Sequence, residues 1–217
     1  MSDPEQNEAR AASRESASAL MVETRDRAAV VRFNRPAARN PLSSATLDEL
    51  EATVAALAVR TDIAAIIFTG TDDIFAAGAD IRELRTLTPT TALAFAQRGQ
   101  RLMQLIADAP QLTIAAVNGY CMGGALDLAL ACDLRVAAPT AVFAHPGARL
   151  GIITGWGGTQ RLARLVGQAR ALELFLTARL VPSAEALAIG LVNRVGTPVL
   201  DCALELAARR ACSLNLS

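Results

Sequence analysis

The sequence predicts an α/β fold, and three observations carry that prediction. Two continuous apolar runs of strand length, IAAIIFTG (63–70) and LTIAAV (112–117), hold no charge. A strand buried on both faces of a helix-covered parallel sheet has this character. Each run is followed by a loop of small residues and then by a stretch of helical periodicity. The alternation continues along the chain without a solenoid-type repeat or a second domain.

The elements follow in order. Residues 1–18 are rich in Ser, Glu, Arg and Ala and read as a disordered leader. Structure is expected near Leu20, with MVETR and AAVVRFN as two short strands joined at Asp26 and ended by Asn34-Arg35-Pro36. Ser43 and Ser44 suit the cap of a helix reaching about Arg60, with Leu47, Leu50, Val54 and Leu57 on one face. After the first buried strand, the loop Phe75-Ala76-Ala77-Gly78-Ala79-Asp80 leads toward a helix over 89–108. After the second, the turn Asn118-Gly119-Tyr120-Cys121-Met122-Gly123-Gly124-Ala125 opens a helix running to about Cys132. A third strand is expected at 134–138 and a Gly- and Pro-rich loop at 144–158. Helices follow at 158–166, 168–178 and 183–189, then a short strand LVNRV and a last helix near 199–212. Residues 19–198 read as one core and 199–217 as a helical segment.

Composition excludes several chemistries. The 217 residues carry 21 basic and 21 acidic groups, and every basic one is arginine. Without lysine there is no Schiff-base residue and no Walker-type phosphate loop. His145 is the sole histidine, which excludes multi-histidine metal sites; no metal is expected. Balanced charge argues against a nucleic-acid partner. Cys121, Cys132, Cys202 and Cys212 form no Cys-x-x-Cys pair and read as small core residues of a reducing, cytoplasmic protein. Residues 1–19 lack the apolar run of a secretory signal. The uncharged stretch 109–126 contains Pro110, Gln111, Asn118 and several glycines, so no membrane span is expected.

Both glycine-rich turns place small residues where a helix begins. Such turns admit a ligand close to the backbone, and free N–H groups there attract negative charge. Two turns side by side either aim two donors at one oxygen, as an oxyanion hole requires, or simply connect strand to helix. Neither fits Gly-x-Gly-x-x-Gly, and Gly155-Trp156-Gly157 has Gln160 where a last glycine belongs. No serine lies between Ser44 and Ser183, so no nucleophile elbow can form at either turn. Cys121 with His145 as a thiol pair is less favoured than Cys121 as buried filler.

The stretches Asn34-Arg35-Pro36 with Asn40-Pro41-Leu42, FAAGADIREL (75–84), AAVNGYCMGGALDLALACDLRVAA (115–138), LGIITGWGGTQRLARLVG (150–167) and LTARLVPSAEALAIGLVNRV (176–195) resemble the crotonase superfamily, the enoyl-CoA hydratase/isomerase family. The resemblance implies a spiral of ββα turns, with the usual C-terminal helices shortened or missing. It implies an acyl-CoA thioester as substrate, coenzyme A entering only as part of it, and a homo-trimer or hexamer. It further implies that backbone N–H groups of Ala79 and Gly124 stabilise an enolate-like oxyanion. By the same resemblance Ala37, Asn40, Leu42, Ala76 and Ala77 line the coenzyme path, and Gly147 and Trp156 the acyl site.

The sequence departs from the family pattern at the acids. Hydratases of the family use two glutamates; here the first position is Asp127 and the second, after Pro146, is Gly147. A glycine has no side chain for general acid–base catalysis, which contributes about 10²–10⁴-fold per group. The second acid of the hydratase reaction is therefore missing, and the specific reaction stays open. Three explanations stand: a reaction such as isomerisation needing only one base, with Asp127 in that role; another side chain (Glu83, His145, Thr154 or Trp156) reaching the pocket; or a non-catalytic acyl-CoA-binding or assembly protein on the same scaffold. Asp80 is expected to cap a helix, and Arg82 and Arg149 are candidates for coenzyme phosphates.

Overall fold

A computed structural model describes residues 18–214. The expected leader lies outside the described residues except for Ser18, whose hydroxyl donates to the Leu20 carbonyl at 2.6 Å. The order begins β1 (Leu20–Arg25), β2 (Ala28–Phe33), β3 (Pro41–Leu42), α1 (Ser44–Ala58), β4 (Ala65–Thr69), β5 (Ile74–Ala76), β6 (Gly78–Ala79) and α2 (Ile81–Leu84). It continues α3 (Pro89–Ala107), β7 (Leu112–Val117), β8 (Tyr120–Met122), α4 (Gly124–Ala131), β9 (Leu134–Ala137), β10 (Val142–Ala144), α5 (Gly158–Val166) and α6 (Gln168–Thr177). It ends β11 (Val181–Pro182), α7 (Ser183–Ala188), β12 (Arg194–Val195) and α8 (Val199–Leu214). Short 3₁₀ turns occupy Pro36–Ala38 and Pro146–Leu150.

The architecture is the expected α/β spiral of ββα turns. β4–β5, β7–β8 and β9–β10 each place their first strand in a six-stranded sheet ordered β1-β2-β4-β7-β9-β12. The second strand joins a four-stranded sheet ordered β11-β10-β8-β5. Each turn thus advances one position in both sheets before its helix. All neighbouring pairs are parallel except β1–β2 and β10–β11.

The uncharged runs are buried on both faces, for a visible reason. Val31, Ile66, Phe68, Ala115 and Val117 face an inner core with Leu47, Leu50 and Val54 of α1, Leu102 and Ile106 of α3, and α4. The alternate residues Val30, Ile67, Ile114, Ala116 and Val136 face Val199, Cys202, Ala203 and Ala207 of α8. Each fully buried aliphatic or phenylalanine side chain contributes roughly 1.5–3 kcal/mol. Cys121, Cys132 and Cys202 are buried free thiols; the side chain of Cys212 lies outside the described residues.

Helix starts follow their caps. Ser43 accepts from Thr46 N at 3.3 Å at the start of α1, and Thr88 forms a reciprocal capping box with Thr91 at the start of α3. Asp80 caps α2, its carboxylate accepting from Arg82 N at 2.9 Å. The turns read as plain loops in fact contain β5, β6, β8 and β10. These strands have three residues or fewer, too short to display periodicity, and are specified by the neighbours they pair with.

Candidate active site

A cavity of about 250 Å³ opens where these turns meet. Its wall includes Ala77 and Ala79, Gly123 and Gly124, His145 to Ala148, Ile152 to Trp156, Phe95 of α3 and Phe175 of α6. Gly78 makes the meeting possible. It adopts φ +87, and a Cβ there would lie 2.5 Å from the Met122 carbonyl and 2.9 Å from Gly124 N. Only glycine lets the two chains approach so closely, which sets Ala79 beside Gly124. The Gly123 N–H is occupied by the Ala144 carbonyl at 2.9 Å. Gly124 is the first residue of α4, so its N–H has no partner within the helix and carries the helix's positive end.

The indole of Trp156 closes one side. A Cβ on Gly124 would lie 2.3 Å from Trp156 Cζ3, and one on Gly99 2.1 Å from Cδ1. The ring is therefore clamped between two glycines, 5.4 Å from the Phe95 ring and 3% exposed.

Asp127 sits behind this wall, fully buried and not on the cavity surface. Its Oδ2 accepts from the Thr154 hydroxyl, and Thr154 does line the cavity. Gly158, the first residue of α5, makes room: a Cβ there would fall 1.9 Å from Asp127 Oδ1. The carboxyl is thus in the first turn of α4 and against the first residue of α5. Burial pushes it up to about 7, against the opposing pull of the Thr154 hydroxyl, the Trp156 backbone and Arg161. His145 Nε2 lies 3.5 Å from Asp127 Oδ1. Burial depresses the imidazole to about 4, so it is neutral at pH 7.

The backbone around these residues matches a known family over nearly its whole length. The family model for enoyl-CoA hydratase/isomerase matches residues 23–213. The chain belongs to this family. A probable enoyl-CoA hydratase, echA8, of Mycobacterium leprae is 41% identical over 179 residues, 81% of this chain and 68% of that protein. The short-chain-enoyl-CoA hydratase of Clostridium acetobutylicum is 39% identical over 191 residues, 87% of this chain and 73% of that protein. Among solved structures, enoyl-CoA hydratase from Bacillus anthracis superposes with a TM-score of 0.85 at 34% identity, covering 89% of this chain and 76% of that one. Pseudomonas aeruginosa DspI gives a TM-score of 0.85 at 35% identity, covering 90% and 81%. Like the family, the protein is a crotonase-type enzyme with lyase- or isomerase-class chemistry on acyl-CoA thioesters.

Against this family frame the expected site residues divide. Ala77, Ala79, Gly124, Gly147 and Trp156 line the cavity. Ala37 is exposed on its 3₁₀ turn, away from the cavity wall. Leu42 and Ala76 are wholly interior. Asn40 is 2% exposed, and its side chain binds Arg35 N at 2.7 Å and the Ile74 and Phe75 carbonyls at 3.2 and 3.1 Å. It ties the 35–40 loop to β5. Glu83 binds Ser44 N at 2.8 Å and its hydroxyl, at the start of α1 rather than in the cavity. Of the alternatives to a second acid, His145, Thr154 and Trp156 reach the wall. Sequence reasoning missed Phe95, Phe175 and Gly99; a glycine in mid-helix was the one mark available for the last.

Gly147 is closed as well as bare. A Cβ there would lie 2.5 Å from the Ile152 carbonyl, and Gly147 O itself accepts from Ile152 N at 3.0 Å. The 3₁₀ turn folds back on the position the second acid would occupy. Among the described residues no helix is long and apolar enough to cross a membrane, and no cluster of His, Cys, Asp and Glu could hold a metal ion.

Proposed function

We propose that the cavity holds the reacting end of an acyl-CoA thioester, with the carbonyl oxygen accepting from Ala79 N–H and Gly124 N–H. Donors of this kind each lower a barrier by about 3 kcal/mol when charge develops on the oxygen. The enolate-like oxyanion then also feels the positive end of α4. Asp127, joined to the cavity wall through the Thr154 hydroxyl, belongs to the acid/base machinery, and Trp156 and Gly147 border the acyl group. Exposed backbone near Ala37 and Ala77 borders the coenzyme path, with Asn40, Leu42 and Ala76 supporting it from inside. The Ala77 N–H bond to Arg39 O at 3.0 Å joins these two segments.

The reaction this reading favours is a proton shift, such as double-bond isomerisation, rather than hydration. One observation carries it: among the described residues no carboxylate lines the cavity. Adding water to an enoyl thioester requires one group to activate the water and another to deliver a proton. Moving a proton along the chain through an enolate requires only one shuttling group. The test follows the ultraviolet absorbance of the conjugated enoyl thioester. A 3-enoyl-CoA is expected to gain that absorbance, and crotonyl-CoA to lose it only slowly. Efficient hydration of crotonyl-CoA would overturn the reading, and thioester binding without either change would favour the non-catalytic alternative.

The same reading places the protein in the cytoplasm as a homo-trimer or hexamer. Exposed Leu172, Leu176, Leu180 and Leu187 on and after α6 supply apolar surface for such contacts. Light scattering on the purified chain gives the subunit count; a monomer at all concentrations would refute it.

A further inference from the structure

The proposed function leaves one buried ionisable group without a task. His145 is 4% exposed, and neither ring nitrogen has a hydrogen-bond partner among the described residues. Asp127 Oδ1, 3.5 Å from His145 Nε2, has none either. Buried polar atoms in native proteins are nearly always satisfied, so His145 Nε2 and Asp127 Oδ1, unpaired across one gap, and the unpaired His145 Nδ1 call for an explanation. Leaving each unpaired costs about 1–3 kcal/mol. The ring is held by Phe175, whose centroid is 5.0 Å away, and it forms part of the cavity wall.

We propose that His145 and Asp127 form one proton-transfer pair in which the imidazole is the catalytic base and Asp127 its positioning partner, standing in for the acid absent at Gly147. This rests on the acyl-thioester reading above. The step requires the tautomer with its proton on Nε2, directed at Asp127 Oδ1, and a lone pair on Nδ1, which is buried in the substrate-free protein and must be uncovered as the thioester enters. The Cα–H bond of the thioester breaks and its electron pair passes into the enolate, with the negative charge on the oxygen held by Ala79 and Gly124. The proton moves to Nδ1, giving an imidazolium paired with the Asp127 carboxylate. Return of the same proton to Cγ of the enolate completes an isomerisation with no oxidant or reductant. The second contact of Asp127, the Thr154 hydroxyl, fixes the carboxylate so that Oδ1 keeps facing the ring.

The other charged groups around the pair are accounted for. Arg161 of α5 acts on Asp127, and the Cys121 thiol of β8 is itself pushed up by burial and by Asp127. Arg179 shares the small hollow behind His145, yet is held by Glu173 at 2.8 Å and Glu185 at 2.6 Å. None of the three is a rival base on the cavity wall.

Because His145 is the only histidine, ¹⁵N-histidine labelling of the whole protein gives imidazole signals that need no assignment. In the substrate-free protein, those signals are expected to show an inflection near pH 7, as Asp127 titrates, that vanishes in Asp127→Asn. With acyl-CoA, His145→Gln is expected to retain thioester binding and lose about 10²–10⁴-fold in α-proton exchange with deuterated solvent. That variant's pH–rate profile should lose the limb near 7. Absence of the imidazole inflection in the wild type, or a His145→Gln enzyme exchanging at the wild-type rate, overturns the proposal. If the wild type binds the thioester without exchange, the catalytic pair fails even where the titrations are coupled. If it does not bind at all, the acyl-thioester reading fails first.

Discussion

Replacing Asp127 with asparagine should make the protein more stable and less active, and the pH dependence gives the size of the effect. The carboxyl rises from 3.8 to about 7 on folding, roughly three units, or about 4 kcal/mol. Between those pH values the native state holds a proton that the unfolded chain has released. Stability therefore falls as pH rises through this window. His145 works in the opposite direction. Its ring falls from 6.5 to about 4 on folding, so the unfolded chain binds a proton that the native state refuses. This term raises stability by about 3 kcal/mol as pH rises over the same range. In the wild type the two largely cancel. Asp127→Asn removes the first and leaves the second. Urea unfolding of both proteins, measured at intervals from below pH 4 to above pH 7, should show their stability difference widening in favour of the variant by about 4 kcal/mol. The asparagine amide can also face His145 Nε2 across the present 3.5 Å gap. Two curves that stay parallel across this range would refute the burial argument.

Three further outcomes follow from the same geometry. Gly99→Ala and Gly124→Ala should each lower stability by about 1–3 kcal/mol, because both press on the Trp156 ring; thermal unfolding checks this. Only Gly124→Ala should in addition depress turnover beyond what the shared loss explains. Gly147→Ala should destabilise by a similar ~1–3 kcal/mol through the Ile152 carbonyl. Gly147→Glu should consequently fail to confer crotonyl-CoA hydration, and a gain of hydration would refute the closed-turn argument. Asn40→Ala should cost about 2–3 kcal/mol, since it strands buried backbone groups and removes a residue suited to φ 48. Denaturant titration measures that loss.

What could be read in advance depended on how far each feature's cause lies along the chain. Leu112–Val117 was expected at the limits it occupies, and α5 likewise, because an unbroken apolar run or a helical stripe is set by adjacent residues. The short strands β5, β6, β8 and β10 were not, because pairing partners elsewhere in the chain define them. The same division governs the site. Ala79 and Gly124 stand in recognisable turns, and the structure brings them to one cavity. The direction Asp127 faces was hidden, because it depends on the space left by Gly158 and on the hydroxyl of Thr154, both in a later turn of the spiral. The contact of His145 with Asp127 was hidden for the same reason. The packing of the Asn40 side chain was hidden likewise, because it rests on bonds to Ile74 and Phe75, some 35 positions away.

The clamp of Trp156 between Gly99 and Gly124 also turns the molecule into its own optical probe. It is the chain's single tryptophan, so excitation beyond the absorption of Tyr120 reports from one place, against the first residue of α4. At 3% exposure its emission should be blue-shifted like that of an indole in hydrocarbon. A thioester entering the cavity would alter that emission directly. Affinity, entry rate and displacement by free coenzyme A can therefore be followed on the unlabelled, unmutated protein, independently of turnover.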